Sequence, residues 1–307
     1  MALIRINFMA ASLHRTVPLM VCLPTDKLVP DEQGVPRPIQ GPFATLYLLH
    51  GILGSEVDWI SGTRIQRWAD ERNLAVVMPA GENSFYTDHP WSGETYSRFI
   101  GQELIDFTRR TFPLSYQRDQ TFIGGLSMGG YGALYNGLKF HDTFGAIVSL
   151  SAGLNVRPGM EKLPAKPQWF AETAAYQHGV FGPDLAAAGH SELNLQVLVT
   201  NLLAAHVVLP AIFMAIGDQD GLKSANDEFD HFLTTKKVSH EYLVGSGAHE
   251  WDFWDRYLLK ALNWLPLTNQ APVLILGILK LIDGLLQSFC VQIIKKYINL
   301  KARCPKG

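Results

Sequence analysis

Ser127 stands in Gly125-Leu126-Ser127-Met128-Gly129, a G-x-S-x-G pentapeptide between the apolar run "TFIGG" and the helix-like run "GGYGALYNGLKF". A strand-to-helix turn this tight forces the serine into a strained backbone. A Cβ two residues to either side would collide with the neighbouring strand and helix, and glycine removes that collision. The hydroxyl then rises above the carboxyl end of a sheet, with the N–H groups of a helix N-terminus behind it. Such a group suits nucleophilic attack on a carbonyl. It becomes a nucleophile only beside a base, and the base needs an orienting acid. Downstream, "AIGDQDGL" presents Asp218 and Asp220 past a strand end, and "GSGAHEWDFWDRYL" places His249 after a loop of small residues. We expect His249 as the base. Asp220 is the preferred acid, because a few residues beyond the strand leave the chain room to turn. Asp218 is the alternative, and otherwise a turn residue.

A developing oxyanion needs two donors. Met128 supplies one backbone N–H, and the loop after "LYLLHG" supplies the other, from Ile52 or, as the near alternative, Leu53. His50 is expected to brace this loop by hydrogen bonding rather than act as base. Among the remaining histidines, His141, His190, His231 and His240 read as surface residues, and His206, in an apolar run, reads as packed. Aromatic residues gather in "SEVDWI", "ENSFYTDHPWSG", "PQWFAET" and "EWDFW". Trp59, Tyr86, Trp169, Phe170 and Trp251 are therefore candidates for an apolar substrate lining. For Trp251, as for Trp254, helix packing is an equal reading.

These groups need a scaffold. Short β-branched runs recur at 3–8, 17–23, 44–50, 74–80, 121–125, 145–151, 210–217 and 240–245, and from the third onward helix-like segments alternate with them, notably at 63–72, 98–112 and 129–140. Near-continuous apolar strands separated by helices predict an α/β domain with a mostly parallel sheet covered on both faces. The first two runs add antiparallel strands at one edge, and the Pro- and Gly-containing stretch 28–42 reads as a linker. Residues 154–206 hold no clear strand and read as an insertion over one end of the sheet.

The chain has 307 residues, 47% hydrophobic and 18% charged, with a formal charge of −2, which excludes disorder and a strongly basic nucleic-acid footprint. Cys22, Cys290 and Cys304 form no metal or disulfide spacing. His14, Arg15 and Thr16 interrupt the apolar N-terminus, so no signal peptide is read and a cytoplasmic location is expected. The domain is expected to run over 1–264. Residues 265–307 form an apolar, then basic extension, expected to be helical. Its 273–303 portion suits a homo-oligomer or membrane-surface contact, with a stray extension as the equal reading.

With these parts in order, the sequence resembles the esterase D-like family of α/β-hydrolases, and within it the bacterial tributyrin and acetyl esterases. The resemblance covers about 1–264 and rests on "LLHGILGSEVDWI", "VVMPAGENSFYTD", "IGQELIDFTRRTFPL", "GGLSMGGYGAL", "AIGDQDGL" and "GAHEWDFWDRYL". It implies the α/β-hydrolase fold and a Ser127–Asp220–His249 triad. It also implies backbone donors at Ile52 and Met128, no metal or cofactor, and a small ester as substrate. Short acyl or small aromatic acyl esters are expected. S-formylglutathione hydrolysis and a non-catalytic scaffold are the alternatives. Members of the S-formylglutathione type usually carry a cysteine soon after the His-Gly, whereas Leu53-Gly54-Ser55 holds none.

Overall fold

The computed structural model describes residues 1–31, 33–89 and 91–267. The chain divides into two compact units, one formed by Met1–Asp26 with Gln40–Leu267 and a second that includes Lys27–Ile39. In the second unit the expected linker forms a small hairpin, Leu28–Pro30 paired antiparallel with Pro36–Pro38. Its turn is closed by the Asp31 carboxylate, which accepts the N–H groups of Gln33 and Val35. The expected extension, and with it the proposed contact through 273–303, lies outside the described residues.

The first unit is built on one eight-stranded sheet: β1 (Ala2–Ala10), β2 (Arg15–Leu23), β3 (Thr45–Leu49), β4 (Ala75–Pro79), β5 (Thr121–Leu126), β6 (Ala146–Leu150), β7 (Ala211–Gly217) and β8 (His240–Gly245), in the order β1-β2-β4-β3-β5-β6-β7-β8. β2 runs antiparallel to both β1 and β4, and every other pair is parallel. The four central strands are buried at every residue, as strands covered on both faces must be. β1, at one edge, alternates exposed and partly buried positions through its first half.

Leu46, Leu48, Val76, Phe122, Val148 and Phe213 point to one face, against α2 (Ile65–Glu71) and α9 (Trp251–Trp264). On the other face Tyr47 meets Phe144 edge-on and hydrogen-bonds Thr108 of α3 (Leu104–Thr111). Apolar side chains such as Phe253, Leu258 and Leu262 of α9, fully buried, each contribute about 1.5–3 kcal/mol. The helix expected over 98–112 is not uniform. It contains a wider π turn at Phe99–Glu103, and the Glu103 carboxylate accepts the N–H groups of Ala11 and Ser12 at 2.6 and 2.8 Å. The insertion carries helices at Ala174–Phe181, Leu185–His190 and Leu195–Ala204 and, as expected, no strand.

Register brings the strand ends to one rim. Leu49 lies opposite Gly125, and Leu126 opposite Leu150, which in turn pairs with Ala215. His50, Ser127 and Ser151 therefore follow neighbouring strands at the same level. α4 (Met128–Lys139) starts there and is buried from Met128 through Leu138. A Cβ on Gly129 would run into the Leu49 and His50 carbonyl oxygens, and one on Gly125 into the backbone of Gly129. Both are backbone contacts, which no rotamer change relieves. Gly129→Ala should lower stability by about 3 kcal/mol, read as a fall in the urea midpoint at unchanged slope.

Candidate active site

The turn between β5 and α4 holds Ser127 at φ 56° and ψ −117°, a region costly for any residue with a Cβ. Two backbone bonds hold it there: its N–H donates to Leu150 O, and its carbonyl accepts from the Gly153 N–H, both at 2.9 Å. The side chain is thereby raised off the sheet rim. His249 Nε2 lies 3.0 Å from Ser127 Oγ, and His249 Nδ1 lies 2.9 Å from Asp220 Oδ2. A carboxylate only accepts, so Nδ1 carries the ring proton and the Nε2 lone pair faces the serine O–H. The three residues form one continuous hydrogen-bonded chain.

Two loops bring the acid and the imidazole together. After β7, the N–H groups of Asp218 and Gln219 donate to the Gly245 and Gly247 carbonyls, and the Asp218 carboxylate accepts the Gly247 N–H. Arg256 of α9 holds the Ser246 carbonyl. Asp218 is thus the turn residue that laces the loops, while Asp220 reaches the imidazole. The Asp220 side chain is wholly buried, whereas that of His249 is 36% exposed. Burial alone would push the Asp220 carboxyl up. The His249 hydrogen bond, the Leu222 N–H, the imidazole's charge and the Ser151 hydroxyl outweigh it and hold the carboxyl below its ordinary range. Asp220 is therefore an anion at neutral pH.

A second loop pair lies alongside. His50 Nδ1–H donates to its neighbour's carbonyl, Gly51 O, at 2.7 Å, and Nε2 accepts the Gly81 N–H at 2.8 Å. Tyr86 O–H donates to the His50 carbonyl. His50 is a brace, kept neutral by its burial and by the Gly81 N–H that occupies the Nε2 lone pair. Leu53 N–H is taken by Asn83 Oδ1 at 2.7 Å, and Tyr176 of the insertion donates to the Asn83 carbonyl. Among the described residues the N–H groups of Ile52 and Met128 have no hydrogen-bond partner. Both residues line the same cavity as Ser127 and His249, about 1190 Å³ in volume.

Of the aromatics expected to line that cavity, Trp169 does; Phe170 does not, and packs edge-on against the Trp169 ring. Trp59, Tyr86 and Trp251 do not. Trp59 is buried with its indole N–H on the Leu49 carbonyl, Tyr86 is buried against Gly81 and Gly132, and Trp251 is wedged between Trp59 and Trp254 beside Gly62. Their sequence neighbours reach the site, but their own side chains turn inward. Phe85 does line the cavity and was not singled out. His240 and His206 also differ from expectation: His240 is sequestered by Asp230 and the Val238 carbonyl, and His206 is exposed at φ 56°. Trp254, for which helix packing is the equal reading in the sequence, is buried against Ser151 and His249 rather than lining the cavity; Asn83 and Ser151 are not among the expected site residues, and the position of Asn83 inside "GENSFYTD" is the signal the sequence holds for it.

The fold and the hydrogen-bonded serine define an α/β-hydrolase of the serine hydrolase class. The chain belongs to the Putative esterase family, which matches residues 10–265. It is 39% identical over 268 residues to an acetyl esterase of Caldicellulosiruptor saccharolyticus, spanning 86% of this chain and 98% of that one. Among solved structures it is similar to the substrate-bound fluorophosphonate-binding serine hydrolase F of Staphylococcus aureus, at TM-score 0.74 and 30% identity. It is also similar to the S-formylglutathione hydrolase of the same organism, at TM-score 0.72 and 30% identity. Each comparison covers 86% of this chain and 98% of the other. The chain is a carboxylic-ester hydrolase by family. No helix among the described residues is long and apolar enough to cross a membrane.

Burial lowers the His50 pKa from its ordinary 6.5, a tendency that the Gly51 carbonyl and the charges of Asp58, Glu82 and Glu56 partly offset. A depressed folded-state value stabilises the fold fully above pH 6.5, and that contribution is lost as pH falls through the folded value. His50→Gln should cost about 1–3 kcal/mol near pH 7.5. The gap from wild type should narrow towards about pH 5, in paired urea melts.

Proposed function

We propose that this chain is a serine carboxylesterase acting on short acyl or small aromatic acyl esters through an acyl-enzyme on Ser127. The unbroken Ser127–His249–Asp220 chain is the observation that carries the reading. In this reaction His249 Nε2 takes the Ser127 proton as Oγ attacks the ester carbonyl, and Asp220 steadies the imidazolium that forms. The N–H groups of Ile52 and Met128 receive the tetrahedral oxyanion. On collapse, His249 returns the proton to the leaving alcohol. Water then attacks the acyl-enzyme by the same route, releasing the acid and restoring Ser127. Trp169 at the cavity wall and the buried Phe85 support an acyl or alcohol group of modest apolar surface. The few, widely spaced cysteines Cys22, Cys290 and Cys304 suit a reducing compartment and support the cytoplasm as the place of action.

A thioesterase of the S-formylglutathione type is the second reading, supported by the 30% identity to such an enzyme. A thioester offers the same electrophilic carbonyl to the same serine. Leu53-Gly54-Ser55, without a cysteine, weighs against it.

Ser127→Ala should reduce p-nitrophenyl acetate and butyrate hydrolysis by about 10⁴-fold or more, and Asp220→Asn by about 10³–10⁴-fold. Equal rates in wild type and Ser127→Ala would end the proposal. An ester panel from acetyl to octanoyl, with methyl ferulate and S-formylglutathione included, separates the two readings by kcat/KM. Asn83→Ala frees the Leu53 N–H and loosens the donor loop. It should cost about tenfold in kcat with KM nearly unchanged, in steady-state kinetics on the best ester of that panel.

A further inference from the structure

Phe85 lies in the loop after β4, two residues past Asn83. Phe85 and Tyr86 both sit at left-handed φ, 52° and 57°. Their side chains part: Tyr86 is buried with its hydroxyl on the His50 carbonyl, whereas Phe85 lines the cavity. Side-chain bonds hold this turn. Ser84 O–H donates to the Gly81 carbonyl at 2.6 Å, and its oxygen accepts the Tyr86 N–H at 3.0 Å. Asn136 Nδ2 donates to the Tyr86 carbonyl at 3.1 Å. A costly backbone conformation, fixed in this way, keeps the Phe85 ring in the cavity wall.

The ring is also fixed from behind. It meets Tyr131 of α4 edge-on with centroids 5.6 Å apart, and Phe181 of the insertion edge-on at 5.2 Å. Tyr131 O–H is tied to the Leu193 carbonyl at 2.7 Å, and Phe181 is buried. Neither of these two rings lines the cavity, so Phe85 is the wall between it and them. In front, a Cβ built on Gly153 would lie 3.4 Å from Phe85 Cε1 and 3.6 Å from the Ser127 carbonyl oxygen. The ring edge therefore faces the backbone of the nucleophile across a single glycine.

Sheet order says which part of an ester meets this wall. His249 must pass its proton to the leaving oxygen, so the alcohol lies towards β7 and β8, whose loops carry Asp220 and His249. Phe85 follows β4, on the other side of β5 from those strands. The carbonyl's other substituent, the acyl chain, runs that way. We propose that Phe85 is a specificity-determining residue that closes the acyl end of the site and limits chain length. The inference rests on the acyl-enzyme reading above and names the side chain that sets its preference for short acyl groups.

The test compares wild type with Phe85→Leu and Phe85→Ala on two ester series. One varies the acyl chain of p-nitrophenyl esters from acetyl to octanoyl, and the other varies the alcohol of acetate esters from methanol to octanol. All three side chains carry a Cβ, so the left-handed backbone does not distinguish them. Leucine leaves the smaller cavity and keeps the test decisive if the alanine variant does not fold. A ratio of kcat/KM on two substrates does not depend on the active fraction of the protein. The octanoyl-to-butyryl ratio should rise about tenfold or more in Phe85→Ala, and by a smaller factor in Phe85→Leu, as methylenes gain a place in an apolar pocket. The octanol-to-methanol ratio should stay within about twofold of wild type. An unchanged octanoyl-to-butyryl ratio in the folded variants, or a shift confined to the alcohol series, would overturn the inference. Hydrolysis and fluorophosphonate labelling that survive Ser127→Ala would instead remove the reading on which it rests.

Discussion

A serine with positive φ, clamped between the Leu150 carbonyl and the Gly153 N–H, is the constraint around which the described fold is organised. A side chain cannot adopt this backbone cheaply unless its surroundings over-determine it. Here they do: the strand before it and the first turns of the helix after it are buried, and glycines two positions away on either side let β3, β5 and α4 approach to backbone contact. The same geometry leaves the helix N-terminal N–H of Met128 unused beside the serine hydroxyl. Removing the strain by relaxing the turn would also lower the hydroxyl back toward the sheet.

The electrostatics follow from unequal exposure along one hydrogen-bonded chain. Asp220 is inside and charged, which is tolerable because His249 and the Leu222 N–H donate to it. His249, a third exposed, bridges that buried charge to the cavity. The loops that hold acid and imidazole are laced to each other by backbone bonds before any side chain meets. Their separation is therefore set by the sheet, since Gly217 and Gly245 are paired residues of β7 and β8.

Much of the aromatic surface expected at the substrate instead stiffens the site from behind. Trp59 ties the end of β3 through the Leu49 carbonyl, Trp251 spans to Trp254, and Trp254 reaches both Ser151 and His249. On the other side, Asn83 joins the loop after β3 to Tyr176 of the insertion. The insertion is thus hydrogen-bonded to the site's own framework as well as lying over it.

What the sequence by itself determined was local. Eight apolar runs, the helices between them and the glycine spacing around Ser127 could be read because strand burial, helix periodicity and steric exclusion act over a few residues. Asp220 and His249 were legible for a related reason: each follows a strand end, and strand ends of a parallel sheet share a rim. Tertiary structure alone decided where side chains at equal distance from the serine would point. Trp169 faces the cavity and Trp251 the core, Phe85 lines the site while its neighbour Tyr86 is buried behind it, and His240 is drawn inward to Asp230. Ser151 looked like any serine after a strand until Trp254, more than a hundred residues away in the chain, was packed against it. Such choices depend on contacts between distant segments, and no periodicity along the chain encodes a rotamer selected by a neighbour that arrives only when the chain folds.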